Sequence, residues 1–322
     1  MSNERKDRFY TRSSPPKEFA SHDVAQAGTR IPLSVNFHIL HQCNYGCRFC
    51  YFSEQGHVES LASGTRPTLS LSDALEVQRR LAESGVQRIT YAGGEPTLST
   101  DLEPLVLDWH RLQGGRAPRA MIVTNGTGLN EARLQRMKHA LAAVKLSAES
   151  SSEFVETALK RGYGGHIALV ISRADCLHRL AIPVDLNSVI CRLNWQEDLT
   201  PLVRRVRPRY WKVFQMLPVP GQNDVAWQDL LISAKEFQQF VDRHAHLSDL
   251  LVPEDNDVMR GSYAMVDPVG RFFQSTPTGY ARSRHSILDV GVEAALAEVP
   301  ISWVKYDARG GDARAFGTGG LS

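Results

Sequence analysis

Between residues 34 and 216 the chain alternates short apolar or β-branched runs with longer stretches of helical periodicity, and this restricts it to a small set of folds. The first run, 34–40 (SVNFHIL), sets Val35, Phe37 and Ile39 against polar neighbours, as a strand with two unlike faces requires. Ser70, with Asp73 three residues on, predicts the cap of a helix whose buried stripe is Leu71, Ala74, Leu75, Leu81 and Ala82 and whose stop is Gly85. Further strands are predicted over 88–92, 120–124, 144–148, 184–190 and 210–216, separated by helices near 102–112, 130–141, 166–180 and 195–206. Strands separated by helices pair in parallel through right-handed crossovers, so the sheet either curls toward a barrel or lies doubly wound; periodicity leaves both open. In either case a ligand site is expected at the carboxyl ends of the strands. After Pro220 the pattern changes to a helix over 233–246 and a hairpin whose strands, 264–268 and 271–274, flank Val269-Gly270. The expected organisation is a flexible tail over 1–30, a parallel α/β domain over 31–218 and an extension over 219–322 that covers the active site.

A chain of 322 residues with 42 % hydrophobic content can bury a large core in one such domain. Its formal charge of +2, without a clustered basic face, argues against nucleic acid as a partner. Residues 1–30 carry neither the apolar core of a signal peptide nor an amphipathic anchor, and no later stretch approaches the ~18 uninterrupted apolar residues of a membrane helix. A soluble, cytoplasmic protein with no membrane partner is expected. Three of the five cysteines fall within eight residues, which is no disulfide framework.

Those three, in Cys43-Asn-Tyr-Gly-Cys47-Arg-Phe-Cys50, offer thiolates at spacings of four and three. Thiolates are the soft ligands of iron–sulfur clusters, and a four-iron cubane on three cysteines keeps one iron open for chemistry. Two alternatives stand beside this one: structural zinc closed by His38, His41 or His57, and an electron-transfer cluster closed by Cys176 or Cys191. Just after the second strand lies Gly93-Gly94-Glu95-Pro96, where glycines allow close backbone approach and Glu95 supplies charge.

The cysteine spacing resembles the signature of the radical S-adenosylmethionine (SAM) superfamily, in which a Gly-Gly-Glu motif binds the amino group of SAM. Beyond this, SVNFHILHQCNYGCRFCYF, YAGGEP, LNSVICRLN, YWKVFQ, LVPEDN, GSYAMVD and SILDVGVE resemble, in order, segments of viperin and its microbial relatives. The resemblance implies a partial (βα)6 TIM barrel, a 4Fe–4S cluster on Cys43, Cys47 and Cys50, and a ribonucleotide substrate. It implies that a 5′-deoxyadenosyl radical takes the C4′ hydrogen and that loss of the 3′ hydroxyl gives a 3′-deoxy-3′,4′-didehydro nucleotide, a chain terminator suited to antiviral defence. An electron donor such as flavodoxin or ferredoxin is implied as partner. By the same resemblance Phe49, Gly93, Gly94, Glu95, Asn125 and Ser150 hold SAM, while Asn36, Arg88, Arg161, Asn187 and Lys212 hold the nucleotide. Tyr263 matches a tyrosine that delivers the final hydrogen equivalent.

The chain departs from animal viperins at two positions that are basic there and are Asp185 and Tyr210 here. An aspartate beside a polyanion repels it, so Asp185 is expected to accept from a ribose hydroxyl or an exocyclic amine, or the substrate carries fewer phosphates. A radical SAM enzyme of biosynthesis acting on such a nucleotide is the alternative function, and a zinc-stabilised binding module without catalysis is the alternative of another class.

Overall fold

The computed structural model describes residues 30–53 and 67–309. The expected tail before Arg30, and His57 with the loop around it, lie outside the described residues.

Seven strands, β1 (Ser34–His38), β2 (Arg88–Ala92), β3 (Ala120–Thr124), β4 (Leu141–Ser147), β5 (Val184–Ile190), β6 (Tyr210–Gln215) and β7 (Leu251–Glu254), pair in parallel in the order of the chain. A doubly wound sheet must reverse its strand order partway; this one does not. Right-handed crossovers that always step the same way put every helix on one face, which is the winding of a partial barrel. The six expected strands are all present, and β7 is an addition that the pattern hides, because LVPE is only four residues long and contains a proline. At the other edge β8 (Met265–Val266) pairs in parallel with β1, and β9 (Phe272–Thr276) and β10 (Gly279–Arg282) continue as antiparallel hairpins.

The crossover helices are α1 (Leu71–Glu83), α2 (Leu102–Leu112), α3 (Glu131–Met137), α4 (Glu153–Ala158), α5 (His166–Arg179) and α6 (Thr200–Val206). The Ser70 hydroxyl accepts from the Asp73 N–H at 3.2 Å, as its cap position predicted. Helix α3 stops four residues before the expected 141, because pairing of Leu141 and Ala143 with β3 claims that segment for β4. Helix α6 starts at Thr200 rather than 195, with Pro201 in its first turn, where the missing N–H costs nothing. In the extension follow α7 (Trp227–Leu230) and α8 (Ala234–Arg243), the latter opened by a reciprocal Ser233–Glu236 capping box. Among the described residues no helix is long and apolar enough to cross a membrane.

Alternation along the strands sorts their side chains into two layers. Val35, Ile89, Tyr91, Ile122, Leu146, Leu186 and Trp211 are buried against the helices. The residues between them, Asn36, Thr90, Met121, Lys145, Asn187 and Lys212, point to the concave side and line a cavity of about 290 Å³.

Candidate active site

Beyond β1 the chain turns into the cysteine loop, and a second loop leaving β2 braces it. The Gly94 N–H donates to the Leu40 carbonyl at 2.9 Å and the Glu95 N–H to the Gln42 carbonyl at 2.8 Å. A Cβ on Gly94 would stand 2.0 Å from the Gln42 oxygen, and one on Gly93, whose φ is +136°, 2.4 Å from the Leu40 oxygen. The glycines are therefore required first by the packing of these two loops, a reason the sequence did not disclose.

Glu95 is buried, and its carboxylate is the hub of the strand ends. Oε1 accepts from the Thr97 N–H at 3.0 Å, the Thr97 hydroxyl at 2.5 Å and the Thr124 hydroxyl at 2.6 Å, and Oε2 accepts from the Asn125 N–H at 2.7 Å. Each carboxylate oxygen offers about two acceptor sites, so Oε2, with one donor, retains capacity for one more, and Glu95 lines the cavity. The Asn125 amide in turn donates to Asn44 Oδ1 at 2.9 Å, tying β3 to the cysteine loop.

Cys47 and Cys50 line the cavity mouth and Cys43 lies exposed beside it. The Cys50 N–H closes a turn on the Cys47 carbonyl at 3.1 Å, and the Cys43 sulfur accepts from the Tyr45 N–H at 3.4 Å. Burial pushes the Cys50 thiol up to about 11 and the Cys47 thiol higher still, although Arg161 beside Cys47 favours its thiolate. Thiols must lose their protons to bind a metal, so metal binding at this turn is coupled to proton release. Among the described residues no three His, Cys, Asp or Glu side chains converge on a position for a single ion. In a three-cysteine cubane each thiolate binds its own iron, so the three donors need not converge on one ion. The zinc alternative loses His38, whose ring is buried against Phe52 and Phe273 at centroid distances of 4.4 and 5.1 Å. Cys191 packs in the apolar cluster around Phe49 and Leu159, and Cys176 in the main core. Arg161 spans the gap between Phe49, 5.4 Å from its ring centroid, and Glu149, which it grips with two bonds of 2.5 and 2.7 Å.

Deeper in the cavity, the side-chain amides of Asn36 and Asn187 face inward with no hydrogen-bond partner among the described residues. Lys212 pairs with Glu254 at 2.6 Å, and Glu254 also accepts from the Tyr263 hydroxyl in a short hydrogen bond. Burial works against the Glu254 carboxylate, yet Lys212 and Arg309 hold it below its ordinary value. Burial, and then the charge of Glu254, push the Tyr263 hydroxyl well above the usual phenol range. The Arg309 guanidinium stacks 3.9 Å from the Tyr263 ring centroid.

Three of the residues expected to bind SAM or nucleotide are not brought to the cavity wall. Ser150 is fully buried and spends its hydroxyl on Glu197, at 2.8 and 2.7 Å. Arg88 begins β2 at the opposite end of the sheet from the cysteine loop. Asp185 is gripped by Arg209 through two bonds of 3.1 Å, an ion pair that the sequence did not disclose. Sequence reading missed Glu254, Arg209 and Lys145. For Lys145 there was a signal: a lysine at an inward position of the otherwise apolar strand LAAVKLS.

A parallel sheet wound one way, with three cysteines on the loop after its first strand, is the architecture of radical SAM enzymes, and residues 38–231 match the model of the Radical SAM superfamily. The solved structure of native anSMEcpe with bound AdoMet superposes with a TM-score of 0.61 over 86 % of this chain and 83 % of that one; at 14 % identity this speaks to the fold alone. The chain is 35 % identical over 288 residues to an S-adenosylmethionine-dependent nucleotide dehydratase of Flammeovirga pacifica, covering 88 % of this chain and 97 % of that protein. It is 33 % identical over 294 residues to the S-adenosylmethionine-dependent nucleotide dehydratase RSAD2 of Siniperca chuatsi, covering 87 % and 78 %. The chain belongs to this family of nucleotide dehydratases, the viperins. The cofactors of the superfamily are a 4Fe–4S cluster and SAM.

Proposed function

We propose that the protein dehydrates a ribonucleotide at its sugar, giving a 3′-deoxy-3′,4′-didehydro nucleotide. The observation that carries this reading is the pair of inward amides, Asn36 and Asn187, left without protein partners inside the cavity beneath the cysteine turn. Both are half-buried, and an amide that faces a cavity with no protein partner is free to hydrogen-bond a ligand rich in hydroxyls, as ribose is. Cys43, Cys47 and Cys50 would hold a 4Fe–4S cluster, which when reduced would supply the electron for dividing SAM into methionine and a 5′-deoxyadenosyl radical able to remove the C4′ hydrogen.

The chain's own residues do the rest. The Gly93-Gly94-Glu95 turn, with the spare lone pair of Glu95 Oε2, holds the ammonium group of SAM, and Phe49 packs on its adenine. Asn36 and Asn187 fix the ribose so that C4′ faces the radical. Loss of the 3′ hydroxyl as hydroxide leaves a sugar radical cation that needs one electron. Tyr263 supplies it, and the phenolic proton, passed through Glu254, converts the hydroxide to water. Arg161 and Lys212 set the electrostatics of the pocket while remaining paired with Glu149 and Glu254. Flavodoxin or ferredoxin is the proposed electron donor.

The test is anaerobic reconstitution with dithionite and SAM, followed by a survey of the common ribonucleoside tri-, di- and monophosphates, reading 5′-deoxyadenosine and nucleotide mass together. A nucleotide-dependent burst of 5′-deoxyadenosine with a product lighter by one water is the expected result. Slow SAM cleavage with every nucleotide unchanged would overturn the substrate while leaving the radical chemistry.

A further inference from the structure

Lys145, Arg161, Lys212 and Arg309 line the cavity, and all but Lys145 are already committed; Arg309 donates to the Ser262 carbonyl at 2.8 Å and stacks on Tyr263. Arg161 is held by Glu149, Lys212 by Glu254 and Arg209 by Asp185. Lys145 is different. Its side chain lines the cavity from the middle of β4, and among the described residues it makes neither a hydrogen bond nor an ion pair. Asp185 stands directly across from it in the β4–β5 register, but both oxygens of that carboxylate are turned to Arg209.

We infer, on the reading of the substrate as a nucleotide, that the Lys145 ammonium binds the phosphate chain and is the residue that selects a polyphosphate over a bare nucleoside. A lysine confined beside other cations is a liability to the fold until an anion arrives. Burial, then Lys212 and Arg88, lower its pKa to about 8, while Asp185 and Glu254 offset part of this. Its position is also right for the task. Ser147 and Asn187 are paired one pleat nearer the cysteine loop than the Lys145–Asp185 pair. Two residues along a strand is about 6.6 Å, so a ribose held at Asn187 sends its phosphates down toward Lys145. Asp185, read from sequence as an obstacle to a polyanion, is paired with Arg209, and the neighbouring strand supplies the cation.

The experiment uses the reconstituted holoenzyme with SAM bound, as wild type, Lys145→Met and Lys145→Arg. Equilibrium dissociation constants are measured calorimetrically for ATP, CTP, GTP and UTP, for the four nucleosides, and for inorganic tripolyphosphate, together with melting temperatures. The expected result is that Lys145→Met weakens triphosphate and tripolyphosphate binding at least tenfold, leaves nucleoside binding unchanged and does not lower the melting temperature, while Lys145→Arg stays within about threefold of wild type. Unchanged triphosphate affinity in Lys145→Met would overturn the inference. So would equal losses for triphosphate and nucleoside with a lowered melting temperature, which is the signature of a structural lysine. If wild type binds tripolyphosphate through Lys145 but no nucleotide, the anion site stands and the nucleotide reading fails. If it binds neither, both fail.

Discussion

Replacing Glu95 by Gln separates two roles for this residue that sequence alone merges. In the structure its carboxylate joins the loop after β2 to the end of β3 through four donors. A glutamine keeps one acceptor oxygen, best placed at Oε1, and sets an NH2 group against the Asn125 N–H. The three donors at Oε1 would each lose about 1 kcal/mol in passing from a charged to a neutral acceptor. The stranded Asn125 N–H would cost about 1–3 kcal/mol more. Against this, a buried charge no longer has to be desolvated, which returns part of the loss and leaves a net destabilisation of about 2–3 kcal/mol. In a chain of this size that lowers the melting temperature by roughly 3–5 °C. The assay is thermal unfolding of the cofactor-free protein beside SAM binding by the reconstituted one. If Glu95→Gln melts with the wild type and loses only SAM affinity, the hub account is wrong and the carboxylate acts on SAM alone.

Lys212→Met strands the buried Glu254 carboxylate and should cost about 3–5 kcal/mol in denaturant unfolding, with most of it recovered in Lys212→Met/Glu254→Gln; a cost below about 1 kcal/mol would refute the pairing. Tyr263→Phe should still release 5′-deoxyadenosine while the dehydrated nucleotide disappears, whereas product at the wild-type rate would remove Tyr263 from the proposed reduction. For Lys145 the folded pKa of about 8 lies below the ordinary 10.5, so the unfolded chain binds more protons between those values and folding gains stability as pH rises through them. Lys145→Met, free of this penalty, should therefore melt above the wild type at pH 7, by a margin that narrows from about pH 8 upward; a constant margin would mean that Lys145 titrates as a solvated lysine.

What the sequence made legible is what short-range pattern controls. Strand–helix alternation places β2, β3 and β5 at their observed bounds, and the cap at Ser70 marks the start of its helix, because each rests on neighbours within a few residues. The boundary between α3 and β4 was misplaced because Leu141 and Ala143 suit either element until β3 is beside them. The thiol turn and the glycine turn announce themselves locally, but what the glycines touch does not, since Leu40 and Gln42 approach only after β1 and β2 pair. The Asp185 puzzle is of the same kind. Its partner, Arg209, comes 24 residues later and meets it because β5 and β6 lie side by side, a fact of register that no motif carries.

The order of strands in the sheet also has a bearing on how the chain is made. From β1 to β7 every strand joins the one synthesised just before it, so most of the sheet can grow as the chain emerges, with few long loops to close. The exception is β8, which must return across more than two hundred residues to lie against β1. Tyr263, Ala264 and Met265 arrive with it, and they form one wall of the cavity beside the cysteine turn. Until that segment has left the ribosome the thiols face an unfinished pocket. Iron inserted before then would enter a site without its wall, so metallation is best timed to follow β8 rather than the cysteines themselves.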